Sequence, residues 1–261
     1  MRIPCRRRPI PGTKENKVKT KLREGQVATV LGGLNTPEII DYMGRLGFDG
    51  AWRETEYGTI TWDQGAHRSR ACDLWNMTSV CRVHHHEPWL MTRTLDVGAT
   101  GRVVPHGSTK AAAAQAATSA QYGPRGSRGM AAGRQSSGVT DSYRKANAET
   151  LVVVLIEEIT AVGNLPDILT IDQIDVFFVA PSDLAQTMGD TGQPTHPEVF
   201  TVVDRCIAHI VAAGQVPGHI GNAATVESDM EKGVRFFLTS WQPWLARGAH
   251  DSLSKVAAKV G

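Results

Sequence analysis

The chain has 261 residues, 41% of them apolar, and a formal net charge of +2 at pH 7. That length suits one large α/β domain or two small ones, and no apolar run approaches the ~20 residues a membrane-crossing helix needs. The start, MRIPCRRRPIPG, is basic but has no apolar stretch behind it, so it does not read as a secretory signal.

Cys5, Cys72, Cys81 and Cys206 are widely spaced and form no C-x-x-C pair. They read as thiols of a reducing compartment, which makes the cytoplasm the expected location. The charge is uneven: residues 1 to 23 hold nine Lys or Arg and one acid. The expectation is a basic, poorly ordered arm over 1–21 followed by one domain over 22–261. The rest of the chain has no basic stripe with interleaved aromatics, which argues against nucleic acid as a partner.

In chain order, apolar runs of strand length fall near 26–31, 48–53, 78–83, 100–104, 151–156, 174–179, 215–220 and 234–239. Helical patterns lie between them at Thr36–Leu46, Glu87–Val97, Ser108–Gln121, Pro197–Ala213 and Thr225–Lys232, with a last helix beginning near Pro243. Such alternation predicts an α/β fold, a (β/α)8 TIM barrel, with a doubly wound open sheet as the alternative. Neither a Gly-x-Gly-x-x-Gly at a first helix nor a P-loop is present, which disfavours nucleotide binding. The stretch Tyr122 to Gly138 carries five Gly and three Arg. It reads either as an anion-cradling loop or as a surface or subunit-contact loop.

Two strand-like runs end in acids: LVVVLIEE with Glu157, and VFFVAPSDLA with Asp183. In parallel α/β folds the C-terminal strand ends form the ligand-binding mouth. Two hard oxygen ligands there suit Mg²⁺ or Mn²⁺; the alternative is that both acids are helix N-caps. Arg82, closing the third run, offers a planar fork for a carboxylate. The backbone N–H groups of Ser182 and Asp183 at the next helix start would add donors. Together these groups would grip a 2-oxo acid at both ends.

The blocks LGFDGAWRETEYG (46–58), SVCRV…EPW…TRTLDVGATG…VVP (79–105), YGPRGSRG (122–129), VVVLIEEITAVGNLPDIL (152–169) and IDVFFVAPSDLAQTMGDTGQPTHPEV (174–199) resemble the HpcH/HpaI family. These are class II metal-dependent pyruvate aldolases of the 4-hydroxy-2-oxoheptanedioate aldolase type, related to macrophomate synthase. The resemblance implies a TIM barrel assembled as a hexamer, a trimer of dimers. It implies Mg²⁺, Mn²⁺ or Co²⁺ on Glu157 and Asp183, and Arg82 on the carboxylate and enolate. Ala180, Ser182 and Asp183 complete the substrate site, and the activity is reversible aldol cleavage to pyruvate and an aldehyde.

The family pattern has a Glu-His pair where this chain has Glu56-Tyr57, with Asp96 as partner of that position. A phenol, with an ordinary pKa of about 10, is a poor base at neutral pH. His85 or His86, in the triplet after the third strand, is the candidate replacement. Three readings follow: a pyruvate aldolase, an oxaloacetate decarboxylase-type lyase that needs no aldol base, and a catalytically impaired relative. Leu155 stands where Gln is common in the family, and His219 where a small or apolar residue is common. Arg53 and Arg102 fall inside runs that should be apolar, where an unpaired guanidinium is costly.

Overall fold

The computed structural model describes residues 15–260 apart from 34, 35, 58, 138 and 140. The strands are β1 (Ala28–Gly32), β2 (Gly50–Glu54), β3 (Thr78–Arg82), β4 (Gly101–Val104), β5 (Leu151–Ile156), β6 (Val176–Val179), β7 (Pro217–Ile220) and β8 (Phe236–Ser240). The helices are α1 (Lys17–Arg23), α2 (Pro37–Gly44), α3 (Trp62–Leu74), α4 (Pro88–Asp96), α5 (Lys110–Ala120), α6 (Ser142–Glu149), α7 (Ile159–Gly163), α8 (Leu165–Ile168), α9 (Pro181–Met188), α10 (Pro197–Ala212), α11 (Val226–Glu231) and α12 (Gln242–Val260).

All neighbouring strands pair in parallel, and β8 returns to β1 in register from Ala28↔Phe236 to Gly32↔Ser240, so the sheet is a closed barrel. That pairing gives the expected TIM barrel and excludes the open sheet. Every strand run was expected within a few residues of its observed position, because buried parallel strands read as continuous apolar segments.

Alternation inside those runs divides two cores. Leu151, Val153 and Leu155 of β5 join Trp52, Val80, Val103, Val176, Phe178 and Phe236 inside the barrel. Val152, Val154 and Ile156 face the helix layer, where α10 lays down Val199, Val202, Val203, Cys206, Ile207 and Ile210 at helical spacing. Because each helix returns the chain from the end of one strand to the start of the next, the barrel has a mouth at the strand C-termini and a floor at the other end.

The expected 21/22 boundary falls within α1, at the floor. Residues 1–14 lie outside the described part, but Lys17–Arg23 form α1, which buries Val18 and Leu22 against the barrel interior. Asn16 donates to the carbonyls of Thr100 and Glu149 at 2.9 Å each. The lysines are not a free basic patch, since Lys17 and Lys21 meet Asp49 at 3.0 and 2.8 Å and Lys19 meets Asp175 at 2.9 Å.

Arg53 and Arg102 both point from the barrel wall into the helix layer, one on each side of Cys81 in the β2–β3–β4 register. Arg53 donates from Nε to Cys81 Sγ at 3.0 Å, and its NH1 lies against Gly65 of α3, where a Cβ would sit 2.2 Å away. A larger residue at 65 would require that guanidinium to shift. Arg102 is fully buried, and its three guanidinium nitrogens have no hydrogen-bond partner among the described residues. Burial, and then the neighbouring Arg128, push it down to about 9.

A buried cation without a partner costs more than a well-packed apolar side chain. Arg102→Met is therefore expected to stabilise the fold by about 1–4 kcal/mol, read as a higher urea midpoint at unchanged slope. A lower midpoint would mean that the guanidinium has a stabilising partner.

Candidate active site at the barrel mouth

Four strand ends bring charged groups to the mouth. Arg82 is the last residue of β3 and Glu54 the last of β2, Glu157 follows β5 directly, and Asp183 lies in the first turn of α9 after β6. Since β5 and β6 pair through Ile156↔Val179, Glu157 and Asp183 stand on adjacent strands. The mouth holds a cavity of about 340 Å³ whose lining includes Trp52, Tyr57, Arg82, Leu155, Phe178 and Asp183. Ala180 and Ser182 line it as well. A smaller enclosed cavity of about 50 Å³ lies near Tyr122, Arg128 and Tyr143, away from the strand-end acids.

Arg82 is buried and claimed by three carboxylates. Its Nε lies 2.9 Å from Glu54 and 3.0 Å from Glu56, and its NH1 is 3.7 Å from Glu157 Oε2. Burial opposes its charge, but Glu54, Glu56 and Glu157 together hold its pKa above the ordinary value. The ring of Tyr57 stacks on the guanidinium with 4.8 Å from Cζ to the ring centroid.

Glu157 is only 1% exposed. Its Oε1 accepts the backbone N–H of His106 at 2.8 Å, while Oε2 has no hydrogen-bond partner among the described residues. Desolvation is the main cause that raises its pKa to about 7; the charge of Asp183 adds to it, and the His106 N–H and Arg82 oppose it. An orphaned buried oxygen, and a second acid that makes ionisation harder, leave a place where a cation would relieve both. The donor set of Glu157 and Asp183, two carboxylates with room for further oxygens, therefore fits a hard divalent ion.

The structure separates other expected residues from this centre. Asp96 ends α4 on the floor side, where its Oδ1 takes Arg128 at 2.8 Å. Tyr57 instead lines the mouth cavity, at the other end of the barrel. His85 is exposed and lies 3.9 Å from Glu87. His86 is half-buried, and burial pushes its pKa down as it packs on Ala112 and Gln115 of α5. His219 faces the helix layer and pairs with the Val179 carbonyl at 2.8 Å. Two of the three arginines in the 122–138 stretch are held by acids, Arg128 by Asp96 and Arg134 by Asp73.

Tyr57 does reach the mouth, but burial and then Glu56 and Asp183 raise its pKa, which makes it a worse base. The histidine at the carboxylates is His106, to which the sequence assigns no role. Its Nε2 is 3.3 Å from Glu56 and its Nδ1 is 2.8 Å from Glu158. Away from the mouth, Asp190, His196 and Glu198 bring three ligand-type groups together around the start of α10, though His196 Nδ1 there accepts the Glu198 N–H at 3.4 Å.

The profile of the HpcH/HpaI aldolase/citrate lyase family matches residues 64–238. A relative described as 4-hydroxy-2-oxovalerate aldolase, from Novosphingobium aromaticivorans, is 31% identical, over 95% of this chain and 99% of its own. A hydroxypyruvate/pyruvate aldolase from Cupriavidus necator is 28% identical, over 94% and 93%. A crystal structure of an HpcH/HpaI aldolase/citrate lyase family protein from Burkholderia cenocepacia J2315 superposes with a TM-score of 0.86 at 27% identity, covering 93% of this chain and 99% of that one. Macrophomate synthase shares the fold, with a TM-score of 0.79 at 19% identity over 95% and 91%.

The raised Glu157 pKa sets a pH dependence. Between the ordinary 4.5 and about 7 the folded protein binds a proton there that the unfolded chain does not. The metal-free protein is thus expected to lose stability as pH rises through that window. The step should vanish in Glu157→Gln. A divalent cation at 100 times its Kd should restore about 2.7 kcal/mol above pH 7. Thermal melts from pH 4 to 8, with chelator or with Mg²⁺, measure all three; a flat wild-type profile contradicts the burial argument.

Proposed function

The chain belongs to the HpcH/HpaI aldolase/citrate lyase family, an aldolase/lyase enzyme, and from that premise we propose that it is a metal-dependent carbon–carbon lyase cleaving and forming 4-hydroxy-2-oxo acids through a pyruvate enolate. The products of cleavage are pyruvate and an aldehyde. The observation that carries this reading is the buried Glu157 carboxylate, with one oxygen unpartnered, beside Asp183 and 3.7 Å from Arg82.

Glu157 and Asp183 would hold Mg²⁺, Mn²⁺ or Co²⁺, and oxygen-only ligands do not choose among these ions. Such an ion, when bound, supplies Lewis-acid stabilisation of the negative charge that develops on the substrate oxygen. Arg82 presents its guanidinium fork to the substrate carboxylate, and the competing Glu54 and Glu56 keep it charged and oriented. The N–H groups of Ser182 and Asp183, opening α9 behind the N-cap Ala180, add donors for an oxyanion. The apolar walls of Trp52, Leu155 and Phe178 exclude water beneath these groups.

Decarboxylation of an oxaloacetate-like 2-oxo acid is the second reading, and the state of Tyr57 favours it. Decarboxylation generates the enolate by losing CO₂ and needs no base at position 57. An aldol cleavage needs a group to take the hydroxyl proton. The raised Tyr57 pKa works against the phenol in that role.

Assembly with further copies belongs to the same proposal. Tyr42, Leu46 and Leu245 are exposed around an apolar groove of about 430 Å³, and Leu253 and Val256 leave α12 apolar on its outer side. These faces support a homo-oligomer, a hexamer on the family pattern. A cytoplasmic site is supported by the buried thiols of Cys72, Cys81 and Cys206, which form no disulfide with one another. Among the described residues no helix is long and apolar enough to cross a membrane.

Exchange of the pyruvate methyl protons with D₂O, followed by NMR, is expected to depend on added Mg²⁺ or Mn²⁺. It should fall about 10²–10³-fold in Arg82→Ala and disappear in Asp183→Ala. Full exchange in Asp183→Ala removes the metal assignment. Tyr57→His is expected to raise aldol cleavage at least about tenfold relative to oxaloacetate decarboxylation, in the range of a general base; an unchanged ratio shows that position 57 does not handle the proton.

A further inference from the structure

The loop after β4 does more than connect. Pro105 leads into His106, whose φ of 54° places it in the left-handed region that few non-glycine residues adopt. Gly107 follows with no room for a side chain, because a Cβ there would lie 2.3 Å from Val154 of β5. The loop is thus pressed onto the strand that carries Glu157. In this conformation the His106 N–H points at Glu157 Oε1, 2.8 Å away.

Side chains hold that conformation from two directions. The His106 ring contacts Glu158 at 2.8 Å through Nδ1 and Glu56 at 3.3 Å through Nε2. Ser108 donates its hydroxyl to the other oxygen of Glu158. Asn164, at the start of α8, donates to the Ser108 carbonyl at 2.8 Å. The result is a clasp joining the loops after β2, β4 and β5.

We propose that His106, clasped by Glu158 and Ser108, is the positioning residue for Glu157: it occupies Oε1 and thereby fixes Oε2 as the oxygen free to take a cation. The inference rests on the reading that Glu157 and Asp183 hold a divalent metal. A ligating carboxylate that is itself hydrogen-bonded is oriented by its outer partner, and loss of such partners typically costs 10–100-fold in metal affinity. The side chain matters because a left-handed residue without its ring contacts relaxes toward ordinary φ values and withdraws the N–H.

The test is Mn²⁺ binding by the substrate-free protein at one fixed pH, read from the electron paramagnetic resonance signal of free Mn²⁺, with circular dichroism to confirm folding. His106→Ala and Glu158→Ala are expected to weaken Mn²⁺ about 10–100-fold. His106→Asn should recover most of the affinity. Its amide reaches the position of Nδ1, and Asn tolerates the left-handed backbone. His106→Gly accepts the backbone conformation but has no ring, so it should bind as weakly as the alanine variant. Wild-type affinity in His106→Gly would overturn the role of the clasp. Unchanged or tighter binding in His106→Ala would overturn it too, the ring then being only a competing cation. No Mn²⁺ binding by the wild type would sink the metal reading, and this inference with it.

Discussion

A carboxylate kept almost wholly out of water at the end of β5 is the constraint around which the mouth is arranged. Glu157 gives up hydration on folding, and one backbone N–H and a guanidinium 3.7 Å away offset only part of that loss. The remainder is carried as a proton or as a cation, and the surrounding groups follow from that choice. Arg82 must be charged, so it is surrounded by acids. The β4 loop must present an N–H, so it bends through a left-handed residue. The barrel wall beneath must stay dry, so Trp52, Leu155 and Phe178 fill it.

The barrel could be read from the chain because its strands are buried on both sides and so stay apolar residue after residue. Glu157, Asp183 and Arg82 stood out for a related reason: each is the first charged group to interrupt such a run. Helices were harder. α3 buries Gly65, Arg68, Ser69, Ala71 and Cys72, a face with little apolar signal. α1 was hidden behind lysines, and Val18 and Leu22 alone do not announce a helix.

What linear order could not display was which end of the barrel a residue occupies. Asp96 follows the family spacing yet ends a helix, and a helix that follows a strand ends on the floor. His106 was missed for the opposite reason. Its acidic contacts, Glu56, Glu157 and Glu158, lie far from it along the chain, and its signal is a backbone angle rather than a motif. Arg53 and Arg102 were noticed as misfits, and the fold keeps them as misfits: one rests on a thiol and against a glycine, the other has no hydrogen-bond partner among the described residues.

The docking of α1 beneath the barrel has a topological consequence. Asn16 is anchored to Thr100 and Glu149, and Val18 donates its N–H to Thr78 at 3.1 Å, all at the strand-entry side. The chain therefore enters the described fold on the side opposite to substrate access. A tether, surface linkage or fused domain joined ahead of residue 15 would hold the molecule by its base and leave the catalytic opening turned outward. The same anchors mean that the first helix cannot reach its final place until residues as late as Asp175 have been made, since Lys19 bonds to that carboxylate across 156 residues of chain.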